Sequence, residues 1–216
     1  MTGRWKWNLI RLRIIRFSSP PATAALVRHG GNFYGLPVAL ASDSLNLAVL
    51  QLALTSERRT ARVCDPTLNK GLPAFLQPRQ NGVQSGVMGA QVTATALVAE
   101  MRTEAIPASI QSIPTNNNNQ DVVPMGTIAA RKVSRSLCSL YHILAIEAIA
   151  HSQAYDEINC AQFGSASASF VRWIRKHVPT IFTDRPLAPD IARLAAEFQA
   201  DNELTHELTH ESVLFS

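Results

Sequence analysis

Five consecutive amide side chains, Asn116-Asn117-Asn118-Asn119-Gln120, are the densest run of hydrogen-bonding groups in the chain. Carboxamides offer both donors and acceptors without charge, so the run can grip a carboxylate or a polar ring substituent; it reads equally as a solvated turn. A second pattern, His206-Glu207-Leu208-Thr209-His210, has the HExxH spacing that puts two imidazoles on one helix face, with glutamate as general base for zinc hydrolysis. It is, however, half of a tandem ELTH repeat, and only residues 211–216 remain downstream for a third ligand. His29, His142, His151 and His177 stand singly, so the stretch is read as a solvated tail and no metal site is expected. No GxGxxG, GxxxxGK or GxSxG occurs, and nothing near Ser85 or Ser165 would activate a serine.

Composition narrows the classes further. The chain has 216 residues, 46% hydrophobic and 17% charged, which suits a folded globular protein rather than a disordered one. The formal charge is +4, but residues 1–17 alone carry +5, which leaves −1 for the remainder. A broad phosphate-binding surface is therefore not expected, and nucleic acid is excluded as a partner. Three cysteines, Cys64, Cys138 and Cys160, form neither a paired disulfide framework nor a CxxC knuckle. A reducing cytoplasm is the default compartment.

The elements that must position these groups are helical. Long apolar patterns predict helices over 36–60, 85–104 and 121–153, with shorter ones at 166–177 and 187–200. Pro37 sits in a first turn, Pro107 follows the second helix, and Asn119 or Asp121 is placed to cap the third, with Pro124 in its first turn. Asp43, Asn46 and Gln51 interrupt the first helix, so it is not read as a membrane span. The class is all-α, a long-helix bundle. Helices apolar nearly all round need more cover than this chain supplies, so an oligomer is expected.

Ordered motifs then accumulate. His29-Gly30-Gly31-Asn32-Phe33-Tyr34-Gly35 leads into the first helix, which runs into Ser56-Glu57-Arg58-Arg59. Asp65-Pro66, Gly71-Leu72-Pro73, Ser85-Gly86-Val87-Met88 and Ala90-Gln91-Val92-Thr93-Ala94 come next. Pro107-Ala108-Ser109, Ser112-Ile113-Pro114-Thr115, Asn119-Gln120-Asp121-Val122-Val123 and Met125-Gly126-Thr127 complete the series. Together they resemble the C-terminal half of the histidine/phenylalanine/tyrosine ammonia-lyase family, which includes aromatic 2,3-aminomutases. The likeness is dense over 26–155 and looser through Val171-Arg172, Asp184-Arg185 and Pro189-Asp190-Ile191 to about 200.

The resemblance implies elimination of ammonia from an aromatic amino acid to give an arylacrylate. The work is done by an electrophilic 4-methylideneimidazol-5-one ring made from Ala-Ser-Gly, in α-helical homotetramers whose sites draw on three subunits. It implies substrate-binding roles for Phe33, near cofactor and ring, and for Asn116, Asn119 and Gln120 on the pocket loop. Histidine-specific members carry glutamate where this chain has Gln120; a neutral amide does not pair with a cationic imidazole, so a phenylalanine- or tyrosine-type substrate is expected. Asn116 points the same way.

Departures from the family pattern are equally specific. No Ala-Ser-Gly occurs, so this chain is not expected to form the cofactor. The tyrosine loop, the asparagine after the cofactor segment, and the tyrosine and arginine expected upstream of His29 are also missing, and Pro124 replaces a usual serine. The chain is therefore read as residues 1–25, an atypical basic N-terminus; 26–203, a partial lyase helical domain; and 204–216, a tail. Residues 1–17 admit a membrane-surface helix or transit peptide, but a displaced start or frameshift is preferred. The isolated chain is expected to be inactive. It is either a fragment of an arylalanine lyase or 2,3-aminomutase, or a truncated scaffold that oligomerises.

Overall fold

The structure, a computed structural model, describes residues 34–78, 82–158 and 164–200. Among the described residues five α-helices follow in order: α1 Leu36–Cys64, α2 Met88–Thr103, α3 Gly126–Glu157, α4 Ser165–His177 and α5 Ala188–Ala200, with a 3-10 turn at Ala74–Leu76. No strand is found among the described residues, only an isolated antiparallel bridge between Thr115 and Gln120. The all-α expectation holds.

Local chemistry accounts for the helix ends. The Gly35 carbonyl accepts the N–H groups of Val38 and Ala39, and Pro37 falls in the first turn, where its missing donor costs nothing. α1 then buries Ala39, Asp43, Asn46, Val49, Ala53, Ser56, Thr60 and Cys64, a spacing of three and four that makes one face. On the two flanks of that face Leu40 and Leu47, and Leu45 and Leu52, are exposed, the last at 61%. At the other end of α2, the Glu104 carbonyl accepts from Asn46 Nδ2 at 3.0 Å and the Ile106 carbonyl from Lys132 Nζ at 2.8 Å, satisfying carbonyls beyond the last turn.

The helix boundaries shift by up to five positions from the sequence expectation, most at the start of the third long helix. The third long helix begins at Gly126, not near residue 121, and runs on to Glu157. Pro124 biases Val123 toward extended backbone, and Met125 takes a left-handed conformation at φ 55°, so the helix ladder starts at the Met125 carbonyl. Asn119 and Asp121 therefore do not cap it.

Two compact units divide the described chain. One combines residues up to Leu45 with Pro107–Arg131; the other combines Asn46–Ile106 with residues from Lys132 onward. The first has a small core of Ala39, Ala108 and Ala129, with Met125 packed against it. The second has the large core: Val49, Leu50 and Ala53 of α1; Ala90, Ala94, Val98 and Met101 of α2; Ile143, Ile146 and Ile149 of α3; Trp173 and Ile174 of α4; and Leu194 of α5. Alanines at the contact positions let helices approach closely, while isoleucines on α3 fill the interior. Buried Gln153 holds the chain after α4, donating to the Ile181 carbonyl at 3.2 Å and accepting the Ile181 N–H at 3.0 Å.

Leu36–Cys64 and Gly126–Glu157 are long and apolar enough to cross a bilayer on length and composition alone. Their buried polar groups argue for protein surroundings instead. Asp43, Asn46, Ser56 and Glu57 on the first, and Gln153 on the second, are each buried and hydrogen-bonded to distant residues of this chain. Lipid offers no such partners.

Candidate functional site

The amide run closes a tight ribbon. Thr115 and Gln120 lie directly opposite each other, with Thr115 N–H donating to the Gln120 carbonyl at 3.0 Å and Gln120 N–H to the Thr115 carbonyl at 3.3 Å. Three residues farther out on each arm, Val123 N–H donates to Ser112 Oγ at 2.8 Å, which continues the same register. The four-residue tip, 116–119, is drawn in by Asn119 N–H donating to the Asn116 carbonyl at 3.0 Å.

Its backbone explains the run of asparagines. Asn116, Asn117 and Asn118 have φ of 52°, 55° and 64°, three left-handed residues in succession. That conformation costs most L-residues about 1–2 kcal/mol each, and asparagine is among the few side chains that tolerate it. The first three asparagines thus have a backbone reason to be there, independent of any ligand. Asn119 and Gln120 do not need that explanation.

The ribbon's base is held by charge. Asp43 of α1, buried, accepts the N–H of Ala108 through Oδ1 at 3.0 Å and that of Ser109 through Oδ2 at 2.9 Å. Because both donors are amides and the acceptor is ionic, these are bonds of the stronger kind. From that anchor residues 111–122 are all exposed, among them Ile113 and Val122. An uncharged amide edge with apolar flanks is therefore displayed to whatever packs over it. Gln120 Oε1 accepts from the Thr115 hydroxyl at 3.1 Å, and Gln120 Nε2 has no partner among the described residues.

Of the residues named from sequence, Asn116, Asn119 and Gln120 thus share one ribbon, whereas Phe33 lies outside the described residues, as do His206 and His210. Sequence reasoning missed Thr115, Ser112 and Asp43. The first two had a signal, since both are hydroxyl residues just ahead of the amide run; Asp43 had none, because its partners are backbone amides more than sixty positions away.

The other matched motifs do structural work. Ser56 Oγ donates to Glu147 at 2.6 Å and Arg59 forms a two-point ion pair with the same carboxylate. Glu57 is 2% exposed; burial pushes its carboxyl up, but hydrogen bonds from Arg58, Thr95 and Gln91 and the Arg58 charge outweigh that and hold its pKa below the ordinary value. Asp184 accepts the N–H groups of Ser85 and Gly86, at 2.5 and 3.0 Å, so two stretches nearly a hundred residues apart meet at the start of α2. Gly86 itself has φ +57°, and a Cβ there would lie 2.3 Å from the Phe75 carbonyl oxygen.

Nothing else in the described residues assembles as a reaction centre. His142 Nδ1 and His151 Nδ1 sit 2.8 and 2.9 Å from the carbonyls four residues earlier on their own helix, and no three metal-ligating side chains converge among the described residues. Burial raises the Cys64 thiol to about 11, which keeps it protonated and unreactive at neutral pH. Open cavities of about 680, 580 and 450 Å³ in the second unit are lined mainly by apolar side chains and include none of the amide residues.

Comparison with known proteins agrees with the motif pattern. The family model for aromatic amino acid lyases matches residues 14–176. A tyrosine ammonia-lyase of Cupriavidus metallidurans is 47% identical over 169 residues, 78% of this chain and 32% of that protein. A histidine ammonia-lyase of Treponema denticola is 43% identical over 174 residues, 81% and 34% of the respective chains. The crystal structure of tyrosine aminomutase from Streptomyces globisporus superposes with a TM-score of 0.80 at 40% identity, covering 88% of this chain and 36% of that one. The chain spans about a third of the length of the curated relatives it matches.

Proposed function

The chain belongs to the aromatic amino acid lyase family, and on that premise we propose that it supplies the ring-recognition edge of an arylalanine ammonia-lyase or 2,3-aminomutase site. The observation that carries this reading is Gln120: a neutral carboxamide on an exposed ribbon, with Nε2 unpartnered among the described residues. In that role Gln120 and Asn119 line the ring end of the pocket and hydrogen-bond a ring hydroxyl where the substrate carries one, Asn116 contributes to the same wall, and Phe33, outside the described residues, is the aromatic residue the family resemblance assigns to the ring. A neutral amide suits phenylalanine or tyrosine better than a protonated imidazole.

The family's 4-methylideneimidazol-5-one does not fit within this chain, whose 216 residues contain no Ala-Ser-Gly from which to make it. Binding and orientation are what these residues can contribute; the electrophile comes from another polypeptide segment. By itself the chain is a catalytically silent scaffold, a reading favoured by that missing sequence and by the exposed leucines of α1. Self-association into a tetramer and a reducing cytoplasm are proposed with it, the latter on the three cysteines.

Co-production with an upstream lyase segment that carries Ala-Ser-Gly tests the reading, using arylacrylate absorbance with phenylalanine, tyrosine and histidine. Product from phenylalanine or tyrosine in the pair, and none from this chain alone, is the expected result. Turnover of histidine only, or product from the bare chain, would overturn it.

A further inference from the structure

We propose that the cavity of about 580 Å³ beside the C-terminal end of α3 is a binding site for a neutral aromatic small molecule that carries an O–H or N–H donor. The site is separate from the amide ribbon, none of whose residues line it.

Three helices of the second unit build it. His151 and Tyr155 stand four apart on one face of α3, with Ile158 just past its end. Phe170 of α4 supplies another wall, with Val63 in the last turn of α1 and Leu72 beyond it. The volume falls among those of small-molecule sites, about 300–1,000 Å³. Tyr155 and Phe170 put two aromatic rings in the wall, which suits a planar ring. Among the described residues no side chain of Lys, Arg, Asp or Glu lines the cavity. An amino acid or any other ion would lose hydration there without gaining a counter-charge, so the ligand is neutral.

Selectivity comes from two acceptors whose polarity is fixed. Asn69, which lines the cavity, is 9% exposed, and its Nδ2 donates to the carbonyls of Val63 and Pro73 at 3.1 and 3.5 Å. Carbonyls only accept, so the amide cannot be turned round, and its other end, Oδ1, is an acceptor. That Oδ1 is buried without a hydrogen-bond partner, a state that costs about 1–3 kcal/mol. His151 obeys the same logic: Nδ1 lies 2.9 Å from the Glu147 carbonyl, so it carries the proton, and Nε2 of the neutral ring is an acceptor. His151 is exposed and water can serve it, whereas Asn69 is buried. The ligand's donor therefore belongs to Asn69 Oδ1. An ether, a carboxylate or a hydrocarbon brings no such donor.

Three probes on one ring skeleton test this: 2-naphthol carries a donor, 2-methoxynaphthalene only an acceptor, and 2-naphthoate an anion. Each is dialysed to equilibrium against the full chain at about pH 8, where an ordinary imidazole is neutral. The wild type is expected to bind 2-naphthol about tenfold more tightly than 2-methoxynaphthalene, the worth of one hydrogen bond, and 2-naphthoate most weakly. Ala166→Trp, at an exposed position of the cavity wall, should abolish 2-naphthol binding without changing the circular dichroism. In the wild type, the side-chain amide resonance of Asn69 should shift on adding 2-naphthol and stay in place with 2-methoxynaphthalene, a readout that needs no variant to fold. Equal affinity for the first two probes, tightest binding of 2-naphthoate, or no binding at all overturns the inference. So does 2-naphthol binding that survives in folded Ala166→Trp or leaves the Asn69 resonance unmoved.

Discussion

Asp43 and Ser109, sixty-six positions apart, are joined by a 2.9 Å hydrogen bond from the Ser109 N–H to Asp43 Oδ2, while Oδ1 of the same carboxylate accepts the Ala108 N–H. An acidic residue in the middle of an apolar helix thereby anchors the base of the segment that carries the amide ribbon. Removing it leaves two amides short of an acceptor, one of them fully buried with Ala108. Asp43→Ala is expected to cost about 1–3 kcal/mol in urea unfolding, and Asp43→Asn less, because its amide oxygen still accepts one bond. Equal stability of all three chains would refute the anchoring role.

At the ribbon tip the backbone, not the side chain, is the requirement at Asn117, with φ 55°. Asn117→Gly should leave amide exchange at Thr115 and Gln120 within about threefold of the wild type, because glycine enters the left-handed region freely. Asn117→Val should speed that exchange about tenfold, reflecting the cost of a β-branched residue there. Equal exchange in the two variants would count against the strained-tip explanation.

Glu57 gives the second unit an acid-sensitive joint. Its folded pKa lies below the ordinary value of 4.5, so the carboxylate contributes stability above that value, and the contribution is lost as pH falls through the folded pKa. Thermal melts between pH 7 and 3 should show a decline that begins below about 4.5. Glu57→Gln should start less stable, because Arg58, Thr95 and Gln91 then face a neutral group, and its melting temperature should fall less over the same range. Parallel pH profiles would refute the assignment.

The exposed leucines of α1 predict association. Leu47 and Leu52 are 45% and 61% exposed, on either flank of the packed face of the helix. Sedimentation of the wild-type chain should give species larger than a monomer, and Leu47→Glu with Leu52→Glu should shift the distribution toward smaller ones. A monodisperse wild-type monomer at micromolar concentration would be incompatible with this reading.

Much of this was legible in the chain. The 3.6-residue periodicity marked the five helices of the described residues to within about five positions, because apolar spacing and turn residues are local properties. The ordered motifs pointed to the family, and the amide run was visible as an oddity. The start of α3 was misjudged because Asp121 and Pro124 make a plausible cap, whereas the pre-proline bias at Val123 and the left-handed Met125 keep the chain extended to residue 125.

What the sequence by itself determined is the helical class, the family, and the absence of Ala-Ser-Gly from these residues. The structure also shows the local backbone of the amide run, where Asn116, Asn117 and Asn118 take left-handed conformations and Gln120 faces Thr115. Only the tertiary structure decided that Asp43 and Glu57 are anchors. The physical reason is one of range: helix periodicity is written in neighbours three and four apart, but the partners of these carboxylates that lie 34 to 66 positions away are brought to them by folding.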